Sequence, residues 1–189
     1  QVNHGKGWTA MTYNQISNPL CLPVTLPQIK EWTRVDGSDA ELVGLIQAAT
    51  GRAEQIMNRP IISRQYKLTL DKFPTEIFIE KTRVQSIDQI QYVDTDGATQ
   101  TLNGAVYHVD LGSNYMPCRV SRAYGQSWPG TRVQNGAVMV TFTAGYGPDW
   151  NSVPSDIQQA IAYLVGHYYD QRDIVGGDAD IIPETAVHI

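Results

Sequence analysis

Two stretches with a helical period stand far apart in this chain, and between them the period changes to that of a β-strand. The first runs from Asp39 to Asn58, where Leu42, Leu45, Ile46, Ala49, Ala53, Ile56 and Met57 recur at steps of three and four. That spacing gathers apolar side chains on one face of a helix. The second opens at Val153-Pro154-Ser155-Asp156 and repeats Ile157, Ile161, Leu164 and Tyr168, with Ala160 and Val165 widening the stripe. Gln158, Gln159, His167 and Gln171 fall largely off it. The first stretch, at ~1.5 Å per residue, makes a rod of roughly 30 Å. Each stripe needs an apolar surface to lie on, and each is a fit partner for the other.

The ends of these helices are written in the local chemistry. Ser38-Asp39-Ala40-Glu41 forms a capping box, and Asn58-Arg59-Pro60 is a stop, because the residue before a proline avoids the helical region. The second helix starts either with Pro154 in its first turn or with Ser155-Asp156-Ile157-Gln158 as a capping box. A shorter helix is expected over Thr25–Trp32, with Thr25 as N-cap and Pro27 in the first turn. It is cut off by Asp36-Gly37.

Between the long helices Tyr66, Leu68 and Leu70 alternate with Gln65, Lys67 and Thr69, and Ile90 and Tyr92 alternate with Gln89 and Gln91. Val138, Val140 and Phe142 alternate in the same way with Met139, Thr141 and Thr143. Short strands are also expected at 77–79, 99–102, 106–109 and 118–120, with Asp96-Gly97 as a hairpin turn. Residues 121–135 read as a polar loop carrying Tyr124, Trp128 and Pro129, and Ala144-Gly145-Tyr146-Gly147 is a glycine hinge. The fold class that follows is α+β: a helical frame, made of a short N-terminal helix plus two long helices, with an inserted antiparallel β subdomain. The divisions are an N-terminal arm (1–24), the N-terminal helices of the frame (25–60), the β subdomain (61–147), the C-terminal helix of the frame (148–173) and a C-terminal arm (174–189). The N-terminal arm reads either as a flexible terminus or as an arm that orders on a neighbouring subunit.

Composition narrows the function. With 42% hydrophobic and 17% charged residues the chain is built to fold. A net charge of −5 without any Lys/Arg run argues against tight binding to DNA or RNA. Cys21 and Cys118 have no metal or redox spacing, and two lone thiols in a reduced compartment are a simpler reading than a disulfide. No apolar run has membrane-spanning length, and residues 1–18 lack the apolar core of a signal peptide, so synthesis in the cytoplasm is expected.

No constellation of catalytic residues emerges. Asp94-Thr95-Asp96-Gly97 resembles the start of a calcium loop, but Ala105 stands where the bidentate glutamate belongs, so a turn is the better reading. His4, His108, His167 and His188 are scattered without ligand spacing. Asp170, Arg172 and Asp173 read as a solvated charge cluster. There is no nucleophile elbow, phosphate loop, zinc-protease helix or dinucleotide fingerprint. No catalytic, cofactor-binding or metal-binding residue is therefore assigned. The aromatic residues Tyr124, Trp128, Trp150, Tyr168 and Tyr169 are either lids on the core or parts of a subunit interface, where Tyr and Trp are enriched. Tyr124, Trp128, Trp150 and Tyr169 are the interface candidates.

An ordered series of short motifs carries a resemblance. It comprises Pro23-Val24-Thr25-Leu26 with Ile29-Lys30 and Arg34-Val35-Asp36, then Asn58-Arg59-Pro60-Ile61-Ile62-Ser63-Arg64-Gln65-Tyr66 and Leu70-Asp71-Lys72-Phe73-Pro74. Tyr92-Val93-Asp94-Thr95-Asp96-Gly97, Tyr124-Gly125-Gln126-Ser127-Trp128-Pro129 and Val140-Thr141-Phe142-Thr143-Ala144-Gly145-Tyr146-Gly147 follow. Val153-Pro154 leading Ile157, Ala160 and Ile161, and Ile182-Pro183 in the tail, complete it. Over residues 23–189 the chain resembles the head–tail connector, or adaptor, proteins of long-tailed bacteriophages and gene transfer agents; the first 22 residues depart from that pattern.

The resemblance implies a structural, non-enzymatic protein of the virion neck, in a ring of about twelve copies under the portal protein. Such a ring extends the channel through which double-stranded DNA passes without sequence-specific binding, and it offers a platform to the next connector or tail component. The C-terminal arm would engage the portal, through Ile174, Val175, Ile181, Ile182, Pro183, Val187 and Ile189. An acidic chain suits a channel in which DNA slides rather than sticks. Neither a cofactor nor a membrane is implied. The alternatives are a stopper or tail-completion protein of the same neck, against which the long helices argue, and a phage-encoded hydrolase.

Overall fold

The computed structural model describes residues 11–81, 83–113 and 116–171. Among them the chain forms eight strands and three α-helices, the mixed α+β class read from the period switch. The described residues divide into two compact units, 19–63 with 145–171 and 11–18 with 64–144.

In the helical unit, α1 (Leu26–Thr33), α2 (Asp39–Met57) and α3 (Ser155–Asp170) pack on one another. Thr25 caps α1 as half of a complete capping box with Gln28, and Ser38 Oγ accepts from the Glu41 amide at the start of α2. α2 ends where Asn58 turns left-handed at φ +48°, a conformation asparagine tolerates better than most residues. The two apolar stripes meet as expected: Ile46, Ala49 and Ala53 of α2 share one core with Ile157, Ile161, Leu164 and Val165 of α3. Ile29 of α1 and Ile61 and Ile62 after α2 complete it, each at most 1% exposed. Burying side chains of this size stabilises by about 1.5–3 kcal/mol each.

Two details differ from the sequence reading or resolve it. α3 begins at Ser155 with Pro154 in the capping position, so the four-residue box does not form, and Asp156 Oδ1 accepts from the Ile157 amide instead. Gln158, placed off the apolar stripe, is buried, and its Nε2 donates to the Trp150 carbonyl at 2.7 Å. Burial is tolerated because the amide has a partner.

The sheet unit holds β1 (Met11–Gln15), β2 (Arg64–Leu70), β3 (Ile77–Ile79), β4 (Val84–Val93), β5 (Thr99–Thr101), β6 (Tyr107–Asp110), β7 (Cys118–Arg122) and β8 (Val138–Ala144). They form an antiparallel five-stranded sheet, β1-β2-β8-β4-β5, and a three-stranded sheet, β3-β7-β6. The alternation in β2 and β8 is realised as a shared face: Tyr66 lies opposite Phe142 and Leu68 opposite Val140, all buried. Ile77, Ile79, Cys118 and Val120 of the smaller sheet belong to the same core.

Part of the segment read as an N-terminal arm is a strand of this sheet. β1 pairs with β2 and places Tyr13 against Leu68. The Tyr13 ring meets Phe142 edge-on at 6.4 Å, and its hydroxyl accepts from the Glu80 amide at 3.0 Å. One aromatic residue among polar neighbours carries no strand signal of its own; the pairing with β2 supplies it.

The segments that lead into and out of the sheet unit are stitched by backbone hydrogen bonds, each within one unit. The Ile16 amide donates to the Gln65 carbonyl, Tyr146 N–H to the Ile61 carbonyl and Ser63 N–H to the Gly147 carbonyl, at 2.9, 3.0 and 2.9 Å. Ile62 and Gly147 form a parallel bridge. The glycine hinge is required here: Gly145 has φ +139°, and a Cβ on it would stand 2.5 Å from Ser63 Cα.

Candidate interaction surfaces

The four aromatic interface candidates occupy different settings. Tyr124 stands at the tip of a turn after β7, where the Gln126 amide donates to the Ala123 carbonyl and Gly125 takes φ +73°. Its side chain is wholly exposed. Trp128, four residues on, is half-buried and stacks on Phe73 at 4.8 Å with the rings 8° from parallel. It is a lid on the sheet core, and its indole N–H finds no acceptor among the described residues. Trp150 sits half-buried in a 3₁₀ turn (Trp150–Ser152), where its carbonyl accepts from Gln158 and from the Val153 amide. Tyr169 is half-buried beside Gly37: a Cβ on that glycine would come within 3.1 Å of the tyrosine ring. Of the four, Tyr124 is the one fully exposed. Ile174, Val175, Ile181, Ile182, Pro183, Val187 and Ile189, expected to form the portal-facing arm, lie outside the described residues.

Two concave sites emerge that the sequence did not announce. One is a groove of about 390 Å³ in the helical unit, lined by Trp32 and Thr33 of α1 and by Ser155, Gln159, Ala162 and Tyr163 of α3. Trp32 is 45% and Tyr163 62% exposed, while Ala162 is buried. Gln159 Nε2 donates to the Tyr163 hydroxyl at 3.3 Å, one helical turn away. The other, about 330 Å³, is polar and lies beside Tyr124, lined by Thr75, Glu76, Ser121, Arg122, Ala123, Gly125 and Gln126. Nearby, Arg119 is held between Glu76 at 3.9 Å and Asp110 at 3.6 Å. All three side chains are well exposed, so these pairs orient more than they stabilise.

The titratable groups have structural settings. Asp94 closes the β4–β5 hairpin: its carboxylate accepts from Gln100 Nε2 and from the Ala98 and Asp96 amides. These hydrogen bonds, that of Gln100 first, hold its pKa below the usual carboxylate range. The Asp94–Gly97 motif is thus a turn, with Gly97 at φ +91°. Cys118 is buried and its thiol is pushed up to about 11, by burial first and by the Asp110 charge second. Cys21 Sγ–H donates to the Pro148 carbonyl, and neither cysteine is in a disulfide. His108 is exposed on β6, and His167 lies beside the Tyr168 ring in the last turn of α3. Among the described residues no three His, Cys, Asp or Glu side chains gather as a metal site, and no helix is long and apolar enough to cross a membrane. What the geometry provides is surface: an exposed tyrosine beside a polar cleft, and a groove whose described lining is uncharged and partly aromatic.

Comparison with known proteins gives two findings. The sequence model of the head completion protein family matches residues 24–178. Among solved structures, a chain in the neck of an empty gene transfer agent (GTA) particle, computed with C6 symmetry, superposes with a TM-score of 0.73 at 22% identity, over 93% of this chain and 91% of that one. Chains from the virion of a native GTA particle, and from the neck of a native GTA particle computed with C12 symmetry, each give 0.72 at 21% identity, over 93% of this chain and 92% of theirs. A comparison with curated protein sequences finds no match.

Proposed function

The chain belongs to the head completion protein family, and on that premise we propose that it is a structural, non-enzymatic adaptor of the virion neck. In this reading it forms a ring beneath the portal protein, extends the channel through which double-stranded DNA passes, and joins the head to the next connector or tail component. The observation that carries the reading is the agreement of the family match with a fold shared, over nearly the whole chain, with components of symmetric GTA necks and virions. Closed rings of identical subunits need surfaces that complement one another around an axis. Tyr124, fully exposed beside a polar cleft, is the strongest candidate for such a contact; Trp128, Trp150 and Tyr169 are half-buried and are weaker candidates.

The C-terminal segment, Ile174 to Ile189, is assigned to portal docking, as an apolar stretch behind a glycine break suits a segment that orders on a partner. Deleting it should abolish attachment to portal-bearing heads while the far-ultraviolet circular dichroism and thermal melt of the remainder stay unchanged. Normal attachment of the shortened protein would refute the assignment. Electron microscopy of portal-bound particles tests the ring, and isolated single copies at the vertex would end that reading.

A further inference from the structure

We propose that neighbouring copies in the ring join through two different patches: Arg122 and Tyr124 of one copy set against the Tyr169 end of the helical unit of the next. The inference rests on the reading of the protein as a ring-forming adaptor.

Arg122 ends β7 and lines the polar cleft with Thr75, Glu76, Ser121 and Gln126, and Tyr124 follows it at the turn. Both side chains are exposed. The nearby carboxylates, Glu76 and Asp110, pair with Arg119 at 3.9 and 3.6 Å. Arg122 itself makes neither a hydrogen bond nor an ion pair through its side chain among the described residues. A guanidinium left open in this way can bond both oxygens of a carboxylate in its own plane. Tyr and Arg are also among the residue types that most often dominate binding energy at an interface.

The chain carries a surface of matching charge. The described residues of the helical unit hold eight Asp and Glu against four Lys and Arg, whereas those of the sheet unit hold seven against eight. A Cβ on Gly37 would stand 3.1 Å from both a Glu41 carboxylate oxygen and the Tyr169 ring. Asp36, next to Gly37, and Asp170, next to Tyr169, are thereby brought to one end of the unit, and both are exposed. Of the cations there, Lys30 is taken by Asp39 at 2.7 Å, which leaves Arg34 among the described residues. Asp170 also stands at the negative end of the α3 dipole, where a carboxylate is disfavoured until a cation approaches it. Arg122 of a neighbouring copy supplies that cation. Like charges would meet if either patch paired with itself, so each copy offers one patch and receives the other, the heterologous contact from which rings close.

Two charge reversals in the full-length protein test this, read by sedimentation velocity, or by the number of copies on portal-bearing heads if the wild type associates only there. Arg122→Glu and Asp170→Lys should each weaken association about tenfold. Mixing the two variants should restore it, because the mixture offers both the native and the reversed pair. Asp170→Lys puts a cation at the end of α3, so its thermal melt should not fall. Circular dichroism checks both folds; Arg122→Gln replaces Arg122→Glu if that variant does not fold, and mixing should then restore pairs of copies only. Association of the wild type should also weaken as salt is raised. Unchanged association in either variant overturns the proposal, as does a loss in both that mixing leaves unrepaired. If rings form and the reversals leave them intact, this contact is wrong and the adaptor reading stands; isolated single copies at the vertex end both.

Discussion

Replacing Gly145 with alanine should cost far more than the loss of one hydrogen atom suggests. The added Cβ would stand 2.5 Å from Ser63 Cα and 2.6 Å from Ser63 N, where ordinary contacts begin at 3.4 Å. Both neighbours are backbone, so one chain segment must retreat by about 1 Å. That retreat strains the hydrogen bonds from Tyr146 N–H to the Ile61 carbonyl and from Ser63 N–H to the Gly147 carbonyl. Each contributes about 0.5–1.5 kcal/mol, and a residue with a side chain held at φ +139° adds about 1–3 kcal/mol. The expected destabilisation is about 4 kcal/mol, a large share of the ~5–15 kcal/mol that holds a typical domain folded. Urea denaturation followed by circular dichroism measures it. Gly44→Ala is the matched control: Gly44 is inside α2, exposed, with nothing within 4 Å of the added Cβ, so it should stabilise by about 0.5–1 kcal/mol. The reasoning fails if Gly145→Ala loses less than about 1 kcal/mol, or if the two substitutions shift the midpoint in the same direction.

Other expectations follow from single residues. Phe142→Ala removes a fully buried ring that stacks on Tyr66 at 5.7 Å, and should destabilise by about 3–5 kcal/mol in the same denaturation assay. Cys118 should resist a thiol reagent at mildly alkaline pH and react only on unfolding, whereas the more accessible Cys21 is titrated in the native protein. Because burial raises the Cys118 pKa from 9.0 to about 11, the fold favours the neutral thiol; that contribution is intact below the unfolded value and is lost as pH rises through about 11. Cys118→Ala should remove this part of the alkaline fall in stability, as a difference between the two pH profiles. Tyr124→Ala should change stability by no more than about 0.5 kcal/mol, as a fully exposed side chain leaves no cavity, yet weaken ring assembly as seen by native mass spectrometry or imaging on the portal.

The helices were legible because their determinants are local. The Ser38 cap, the Asn58-Arg59-Pro60 stop and the spacing of Leu42, Ile46, Ala49 and Ala53 all lie within one segment, and the structure uses each of them. The same holds for the hairpin at Asp94–Gly97, whose turn chemistry is complete in four residues. What was illegible depends on partners distant along the chain. Nothing near Tyr13 predicts that β2 will offer it an edge, and Gln158 is buried because a 3₁₀ turn before the helix presents a carbonyl to it. The α1–α3 groove is hidden for the same reason: Trp32 reads as the end of a short helix, Tyr163 carries no signal of its own, and only the packing of α1 against α3 brings them together. Of the aromatic residues proposed for an interface, sequence could not separate Tyr124, which is exposed, from Trp128, which stacks on Phe73.

The stitched passages have a consequence for how such a chain can change. Arg64 and Ala144, the first and last residues of the long excursion into the sheet unit, are direct partners across β2 and β8. On the helical side Ser63 and Gly145 are close enough that no Cβ fits between them. An excursion whose two ends lie side by side can be lengthened, trimmed or exchanged without rethreading the segments before and after it. Gly145, just past the return strand, is then the residue that any replacement has to keep.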